Sequence, residues 1–209
     1  MSKFDRVWSE TKTGIAAALR PSPPLRYKIE LATRRIEAQI QYLNGAINAL
    51  SQRDKALFQK IVDAYSKHDM QRASVYANEL AELRKMANFM MGAELALERV
   101  ALRLRTVTEV GNIAALLAPV GRVLQSVRTG IAGIFPNAER ELGEITTLLD
   151  EIMIDASQVT GMPLDFEAAS EEAQKILSEA AAVAEERMKE KFPELPALKA
   201  PAEGATEPK

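Results

Sequence analysis

An interval of 94 residues without proline, from residue 25 to residue 118, is the feature that most constrains how this chain folds. Proline kinks or ends a helix, so its absence permits helices much longer than average. Within the interval, apolar residues recur in alternating steps of four and three, which return each side chain to nearly the same helix face. The first such series, interrupted once by Asp54, consists of Leu25, Ile29, Ala32, Ile36, Ile40, Leu43, Ile47, Leu50, Leu57, Ile61 and Ala64.

A second series with the same period begins after the polar segment Lys67-His68-Asp69. It consists of Tyr76, Leu80, Leu83, Ala87, Met90, Leu97, Ala101 and Leu104. Because a short connection makes neighbouring helices pack against each other, the two series predict an antiparallel helical hairpin. Its first arm, residues 25–66, would span roughly 60 Å at ~1.5 Å per residue.

Prolines and glycines become frequent beyond Gly111, which predicts shorter, hinged helices. We expect one at about 120–129, one at about 138–159 with Asn137 as its N-cap, and one at about 167–191. Residues 193–209 contain four of the ten prolines, so we expect them to be extended and disordered. The expected fold class is all-α: a long antiparallel helical hairpin, shorter hinged helices and a disordered C-terminal tail.

Charge divides the chain into a basic and an acidic part. Residues 1–132 carry 20 Lys and Arg against 12 Asp and Glu, a net charge of +8, whereas residues 133–209 carry 7 against 17, a net charge of −10. The basic part suits an anionic polymer or membrane, and the acidic part suits covering it. We therefore expect an amphipathic N-terminal helix and proline-rich linker (1–24), a basic hairpin core with the following short helix (25–132), acidic regulatory helices (133–191) and a proline-rich tail (192–209).

Residues 2–19, before the cluster of three prolines, form a candidate amphipathic helix with an aromatic and aliphatic side and a mildly positive balance of charge. Such a segment suits the membrane interface. The alternative is a short helix that packs back on the hairpin. The predicted membrane-binding residues are Phe4, Val7, Trp8, Ile15, Lys3, Arg6 and Lys12, together with Lys28, Arg34 and Arg35 on the first arm of the hairpin.

Several kinds of chemistry lack the residues that they require. The chain has no cysteine and a single histidine, His68, which excludes disulfides, thiolate metal sites and a histidine zinc cluster. The sequence Gly130-Ile131-Ala132-Gly133 lacks the Lys or Ser of a phosphate-binding loop, and there is no nucleophile elbow. We therefore expect neither an enzyme nor a bound cofactor or metal. With no secretory signal pattern and no apolar run of 18 residues, we expect a cytoplasmic protein that does not span a membrane.

The arrangement of a basic hairpin, hinged helices and an acidic tail over residues 25–199 resembles the subunits of ESCRT-III, and in particular the archaeal CdvB-type cell-division homologues. The most local likeness lies at the hairpin tip, Lys67-His68-Asp69-Met70-Gln71-Arg72-Ala73, followed by Ala77, Leu80 and Leu83-Arg84-Lys85. In the family this region has a Lys-Gly-Asp-like turn, alanines at helical spacing and an Arg-Lys pair. Here His68 stands where the family has a small turn residue.

The segment Phe192-Pro193-Glu194-Leu195-Pro196 resembles the type-2 MIT-interacting motif, an extended strand of prolines and aliphatic residues. Prolines keep such a strand extended, and aliphatic side chains at fixed spacing enter a groove between helices of the partner. The alternative is an ordinary disordered, proline-rich tail. The residues that the resemblance assigns to the MIT domain of a partner are Phe192, Pro193, Leu195 and Pro196.

The resemblance implies a filament-forming subunit that polymerises with itself or with related subunits on anionic membrane lipids. It further implies membrane remodelling and scission in archaeal cell division, at the inner face of the cell membrane, and disassembly by an MIT-domain AAA ATPase. Two alternatives remain open: a membrane-stress filament of the phage-shock or vesicle-inducing type, and a coiled-coil adaptor or scaffold. No nucleic acid partner is expected, because the basic residues are dispersed and aromatic residues are sparse.

Overall fold

The computed structural model describes residues 24–107, 113–160 and 166–192. These ranges contain five α-helices and no strand: α1 (Leu25–Ser66), α2 (Met70–Val107), α3 (Ile113–Ile131), α4 (Pro136–Thr160) and α5 (Phe166–Lys191). The predicted all-α class and the long hairpin are confirmed. The predicted N-terminal helix and the residues from 193 onward lie outside the described residues.

Helices α1 and α2 form the hairpin, and most of the predicted apolar residues on both arms are buried between them or beneath neighbouring helices. The tip is a tight turn in which His68 adopts a φ of 58°, the left-handed region that favours glycine. Asp69 then caps α2, because its Oδ1 accepts a hydrogen bond from the backbone N–H of Arg72 at 3.1 Å. The backbone thus explains why a small residue suits the position of His68.

Polar contacts fix how the two arms align. Asp54, which interrupts the apolar series, is only 5% exposed and accepts two hydrogen bonds from the guanidinium group of Arg84, at 2.6 and 3.1 Å. Nearer the open end of the hairpin, Asn44 donates to the carboxylate of the buried Glu94 at 2.7 Å. A planar guanidinium group satisfies both carboxylate oxygens, so Asp54 is tolerated in the seam.

Helix α3 is longer than predicted, since it begins at Ile113 rather than near residue 120 and contains Pro119. Its apolar face is fully buried, and this burial offsets the backbone hydrogen bond that proline removes. Arg103 of α2 supports the same turn by donating from Nε to the carbonyl oxygen of Leu116 at 2.8 Å. The predicted start of this helix, at about residue 120, was wrong.

Helix α4 begins at Pro136, so the prediction that Asn137 caps it was wrong. Proline has the φ of a helical residue already and lacks an N–H that would be unsatisfied in the first turn, which makes it well suited to this position. Asn137 therefore lies inside the first turn of α4. The final helix, α5, was predicted with its start displaced by one residue.

The three shorter helices pack around the open end of the hairpin. Helix α4 runs antiparallel to α1, with Lys28 beside Asp155 at one end and Tyr42 beside Phe135 at the other. Helix α5 runs antiparallel to α2, and α3 packs against α2, α4 and α5. The distal part of the hairpin is held by pairs between its own arms, such as Arg53 with Glu79 at 2.5 Å. The shorter helices therefore gather at one end of an elongated hairpin.

Candidate functional site

The two acidic helices, α4 and α5, lie on the basic hairpin and form what we call the acidic cover. Its carboxylates pair with cations of both hairpin arms. The pairs are Lys28 with Asp155 and Glu151, Arg35 with Glu144, Arg99 with Glu179, and Arg103 with Glu172. The charge asymmetry seen in the sequence is thus matched by contacts between its two parts.

Lys28 is the most deeply placed of these cations, being only 8% exposed. Its Nζ lies 3.0 Å from Oδ2 of Asp155 and 3.5 Å from Oε2 of Glu151. An ammonium group at this depth requires charged or polar partners, because removing it from water is costly. The pairing of Lys28 therefore depends on α4 being in place.

The three hairpin cations predicted to bind membrane lie in different environments. Lys28 is buried beneath α4, whereas the side chain of Arg34 is 71% exposed and pairs with Glu30 of its own helix at 3.5 Å. Arg35 is intermediate, with its Nη1 3.2 Å from Oε2 of Glu144. In this arrangement the acidic cover leaves Arg34 accessible and occupies the other two.

Apolar contacts beneath the ion pairs hold the acidic cover in place. Exposed ion pairs contribute only about 0–1 kcal/mol each, whereas burying one aliphatic side chain contributes about 1.5–3 kcal/mol. The buried residues of α4 are Ala138, Leu142, Ile145, Leu149, Ile152 and Ala156, and those of α5 are Ala169, Ala173, Ile176, Ala180 and Ala184. The apolar face contributes most of the free energy that holds the acidic cover on the hairpin, and the ion pairs fix its position there.

The first residue of the proline segment is also buried. Phe192 is 4% exposed within the hydrophobic core, and its N–H donates to the carbonyl oxygen of Met188 at 2.8 Å. The neighbouring Lys191 donates from Nζ to Oδ1 of Asn48 on α1 at 3.3 Å. Sequence reasoning grouped Phe192 with the tail, although its spacing of four from Met188 and eight from Ala184 continues the apolar face of α5.

The remaining predicted site residues lie outside the described residues. These are Lys3, Phe4, Arg6, Val7, Trp8, Lys12 and Ile15 of the N-terminal segment and Pro193, Leu195 and Pro196 of the tail. None of the five described helices is long and apolar enough to cross a membrane. Over residues 24–107, 113–160 and 166–192, no three His, Cys, Asp or Glu side chains are grouped so that they could hold a metal ion.

Comparison with known proteins identifies the family. No protein-family model and no solved structure matches the chain. The chain is 40% identical over 195 residues to Cell division protein B1 of Sulfolobus acidocaldarius, which covers 93% of this chain and 90% of that protein. It is also 35% identical over 162 residues to Cell division protein B of the same organism, covering 78% of this chain and 62% of that protein. The chain therefore belongs to the archaeal CdvB-type cell-division proteins of the ESCRT-III family.

Proposed function

We propose that this protein is a filament-forming cell-division subunit whose closed monomer is kept inactive by the acidic cover. On opening, it polymerises with itself or with related subunits on anionic lipid at the inner face of the cell membrane and remodels that membrane towards scission. It is a cytoplasmic, peripheral protein without catalytic activity, cofactor or metal. The observation that carries the proposal is the burial of Lys28 between two carboxylates of the acidic cover.

The acidic cover occupies groups that a membrane and a neighbouring subunit would need. Lys28, Arg35, Arg99 and Arg103 all pair with its carboxylates. Each Lys or Arg near an anionic bilayer contributes ~1 kcal/mol, so releasing several together changes membrane affinity by orders of magnitude. Removing α4 and α5 also exposes apolar faces on the hairpin and α3, which suit packing between subunits.

The joint for this opening is the connection between α3 and α4. It contains Gly133, with a φ of 80° and no atom near enough to obstruct a Cβ, and it is followed by Pro136. The residues of a hinge absorb the change in φ and ψ, while the helices on either side move as rigid bodies. Movement here would carry α4 away from both α1 and α3 while α3 stays on α2.

Disassembly is assigned to an AAA ATPase whose MIT domain binds Phe192, Pro193, Leu195 and Pro196. Phe192 is packed in the core of the closed monomer, so an MIT domain that contacts this side chain can bind only after Phe192 has left the core. Recruitment of the ATPase would then be favoured on opened subunits, which are those in the polymer. This order avoids using the ATPase on free monomers.

The proposal is tested by neutralising two sets of five carboxylates in the full chain. The interface set is Glu144→Gln, Glu151→Gln, Asp155→Asn, Glu172→Gln and Glu179→Gln, all of which pair with the hairpin. The control set is Asp150→Asn, Glu171→Gln, Glu185→Gln, Glu186→Gln and Glu190→Gln, all exposed residues of the same two helices. Both sets raise the net charge by the same amount, so they differ only in position.

We expect the interface set to increase sedimentable polymer and binding to vesicles of anionic phospholipid, most clearly at low salt, and the control set to change both much less. Truncation after Ala132 should give the same result as the interface set. Equal behaviour of the two sets would attribute binding to net charge and contradict the proposal. Monomeric behaviour of the interface set and of the truncated chain would also contradict it. Tighter binding to duplex DNA than to anionic vesicles at matched salt would indicate that the partner of the hairpin is nucleic acid and not a membrane.

A further inference from the structure

Helix α3 differs from the other four described helices in its charge. It contains no acidic residue, and its two charged residues, Arg122 and Arg128, are both basic. Each of the other helices contains at least four acidic residues. Because like charges repel, an anionic surface disfavours the close approach of α4 and α5 and favours that of α3. The charge of α3 thus suits contact with an anionic partner.

The same helix has one wholly buried apolar side. Its residues, none of them more than 3% exposed, are Ile113, Leu117, Val120, Val123, Leu124, Val127 and Ile131. The opposite side carries the exposed Arg122 and Thr129. A helix with bulky aliphatic residues on one side and basic or small polar residues on the other suits the boundary between the headgroups and the acyl chains of a bilayer. The residue pattern of α3 is therefore that of an interfacial helix.

Helix α4 packs against part of this apolar side. Arg128 shows which part, because its Nη2 lies 3.8 Å from Oε1 of Glu139 on α4. Leu124 and Ile131 are four residues before and three residues after Arg128, so they lie on the same side of α3 and face α4. Helix α4 therefore covers a line of aliphatic residues on α3.

The other edge of α4 covers cations. Lys28 and Arg35 of α1 pair with three carboxylates of α4, and the buried aliphatic residues of α4 lie around the helix between those carboxylates and Glu139. Helix α4 thus presents carboxylates to cations and aliphatic side chains to aliphatic side chains across one continuous surface. We call this surface the α4 footprint, and it consists of Lys28 and Arg35 of α1 with Leu124, Arg128 and Ile131 of α3.

An anionic bilayer presents the same two kinds of group, anionic headgroups beside an apolar interior. We propose that α4 and the bilayer compete for the α4 footprint, and that α3 is the helix that enters the membrane interface once α4 has left. Headgroups would take the places of the carboxylates at Lys28 and Arg35, and acyl chains would replace the aliphatic residues of α4 at Leu124 and Ile131. This inference rests on the proposed function, because the footprint becomes accessible only on opening.

The contact of α3 with α2 leaves this line of residues free for lipid. The ring of Phe89 on α2 lies so close to Gly130 that a Cβ there would overlap it. Gly130 is six residues after Leu124, which places the two residues on different sides of the helix. Helix α3 therefore rests on α2 through one edge and, when α4 leaves, presents Leu124 outward.

Charge favours a bilayer over a second copy of the chain as the occupant of the α4 footprint. Residues 1–132, which include the hairpin and α3, carry a net charge of +8. The hairpin of a neighbouring subunit would place like charge against Arg122, Arg128 and the cations of α1, whereas anionic lipid is complementary to them. The apolar surface of the hairpin that α5 uncovers remains available for contacts between subunits.

The test places one fluorophore on α3 of the full chain, which has no cysteine of its own. In the protein that carries the interface set of neutralised carboxylates, Leu124→Cys is labelled on the apolar side of α3. The control, Thr129→Cys, is labelled on the exposed side of the same helix. The labelled proteins are bound to vesicles of anionic phospholipid in which part of the lipid carries a nitroxide on its acyl chain. A nitroxide quenches only nearby fluorophores, so the quenching reports whether the label has entered the bilayer.

We expect the nitroxide lipid to lower the emission of the label at position 124 severalfold and that of the label at position 129 much less. Ile131→Cys is a second position in the α4 footprint and should behave like Leu124→Cys. Circular dichroism checks that all three variants fold. In the protein that carries the control set of neutralised carboxylates, the labels at 124 and 131 should be quenched severalfold less, because α4 then still occupies the footprint.

Three results would overturn this inference: equal quenching at positions 124 and 129, no quenching at 124 and 131 in vesicle-bound protein, or equal quenching in the interface and control sets. Unquenched labels that are nevertheless shielded from aqueous iodide would assign the footprint to a second subunit. The inference and the proposed function can be told apart. Vesicle-bound protein with unquenched labels would remove only the role of α3, whereas absence of vesicle binding by the interface set would remove both.

Discussion

Replacing Lys28 by methionine removes the buried ammonium group and retains most of the side-chain stem, so it tests the electrostatic part of the closed state. The substitution leaves Asp155, whose side chain is only 18% exposed, without its lysine partner. Removing one partner of a fully buried ion pair costs about 3–5 kcal/mol. The cost here is lower, about 2–3 kcal/mol, because the second partner, Glu151, has a side chain that is 58% exposed and can regain water.

The substitution weakens the contact between α1 and α4 and therefore destabilises the closed state by this amount. A loss of about 2–3 kcal/mol raises the ratio of open to closed molecules roughly 30- to 150-fold. Hydrogen–deuterium exchange over α4 measures that ratio directly, and we expect Lys28→Met to accelerate exchange there by a comparable factor. The exchange rate of the distal hairpin, near Asp54 and Arg84, should stay unchanged because those residues lie far from α4.

Two further variants separate the effect of burial from that of charge. Arg35→Met breaks an exposed pair and should accelerate exchange at most a fewfold, since such pairs contribute about 0–1 kcal/mol. Adding Asp155→Leu to Lys28→Met removes the carboxylate that has lost its lysine partner and should recover part of the loss. If Lys28→Met and Arg35→Met accelerate exchange equally, or if Asp155→Leu adds to the loss, then burial of Lys28 does not hold the cover.

Three other predictions concern the hairpin and the two ends of the chain. Asp54→Ala removes the carboxylate that pairs with the partly buried Arg84, so it should lower the free energy of unfolding in urea by about 3 kcal/mol. Arg53→Ala breaks an exposed pair and should change that free energy by less than about 1 kcal/mol. Equal losses would mean that burial of Asp54 is unimportant. Phe4→Ala combined with Trp8→Ala should weaken binding of the opened, interface-neutralised protein to anionic vesicles at unchanged helicity, and undiminished binding would assign these side chains to packing alone. Leu195→Asp should abolish binding to an MIT domain by calorimetry, and retained affinity would reject the motif.

The sequence predicted those elements whose signals are local. The steps of four and three along α1 and α2 repeat on one helix face, so the long hairpin could be read without knowing its neighbours. The start of α3 and the cap of α4 were wrong because burial outweighed a local penalty at Pro119 and because Pro136 itself begins the helix. Helix propensity predicts the bounds of a helix poorly where its ends make large tertiary contacts.

The candidate site was less predictable than the fold. Lys28 and Asp155 are separated by 127 positions, and nothing in the local sequence indicates that they meet. Lys28 was predicted as a membrane-binding residue of the first arm, and in the structure its ammonium group pairs with two carboxylates of α4. The asymmetry of charge indicated that the two parts of the chain attract each other, without showing which residues pair.

The polar contacts across the hairpin seam have a mechanical consequence. An apolar repeat of four and three fits itself again after a slide of seven residues, so the alignment of the two arms depends on the tight turn at the tip and on these polar pairs. Such a slide would separate Asp54 from Arg84 and Asn44 from Glu94, stranding buried charges in apolar surroundings. The hairpin therefore acts as a strut of fixed length. If the protein forms the proposed filament, tension would deform the contacts between hairpins and leave the spacing within each hairpin unchanged.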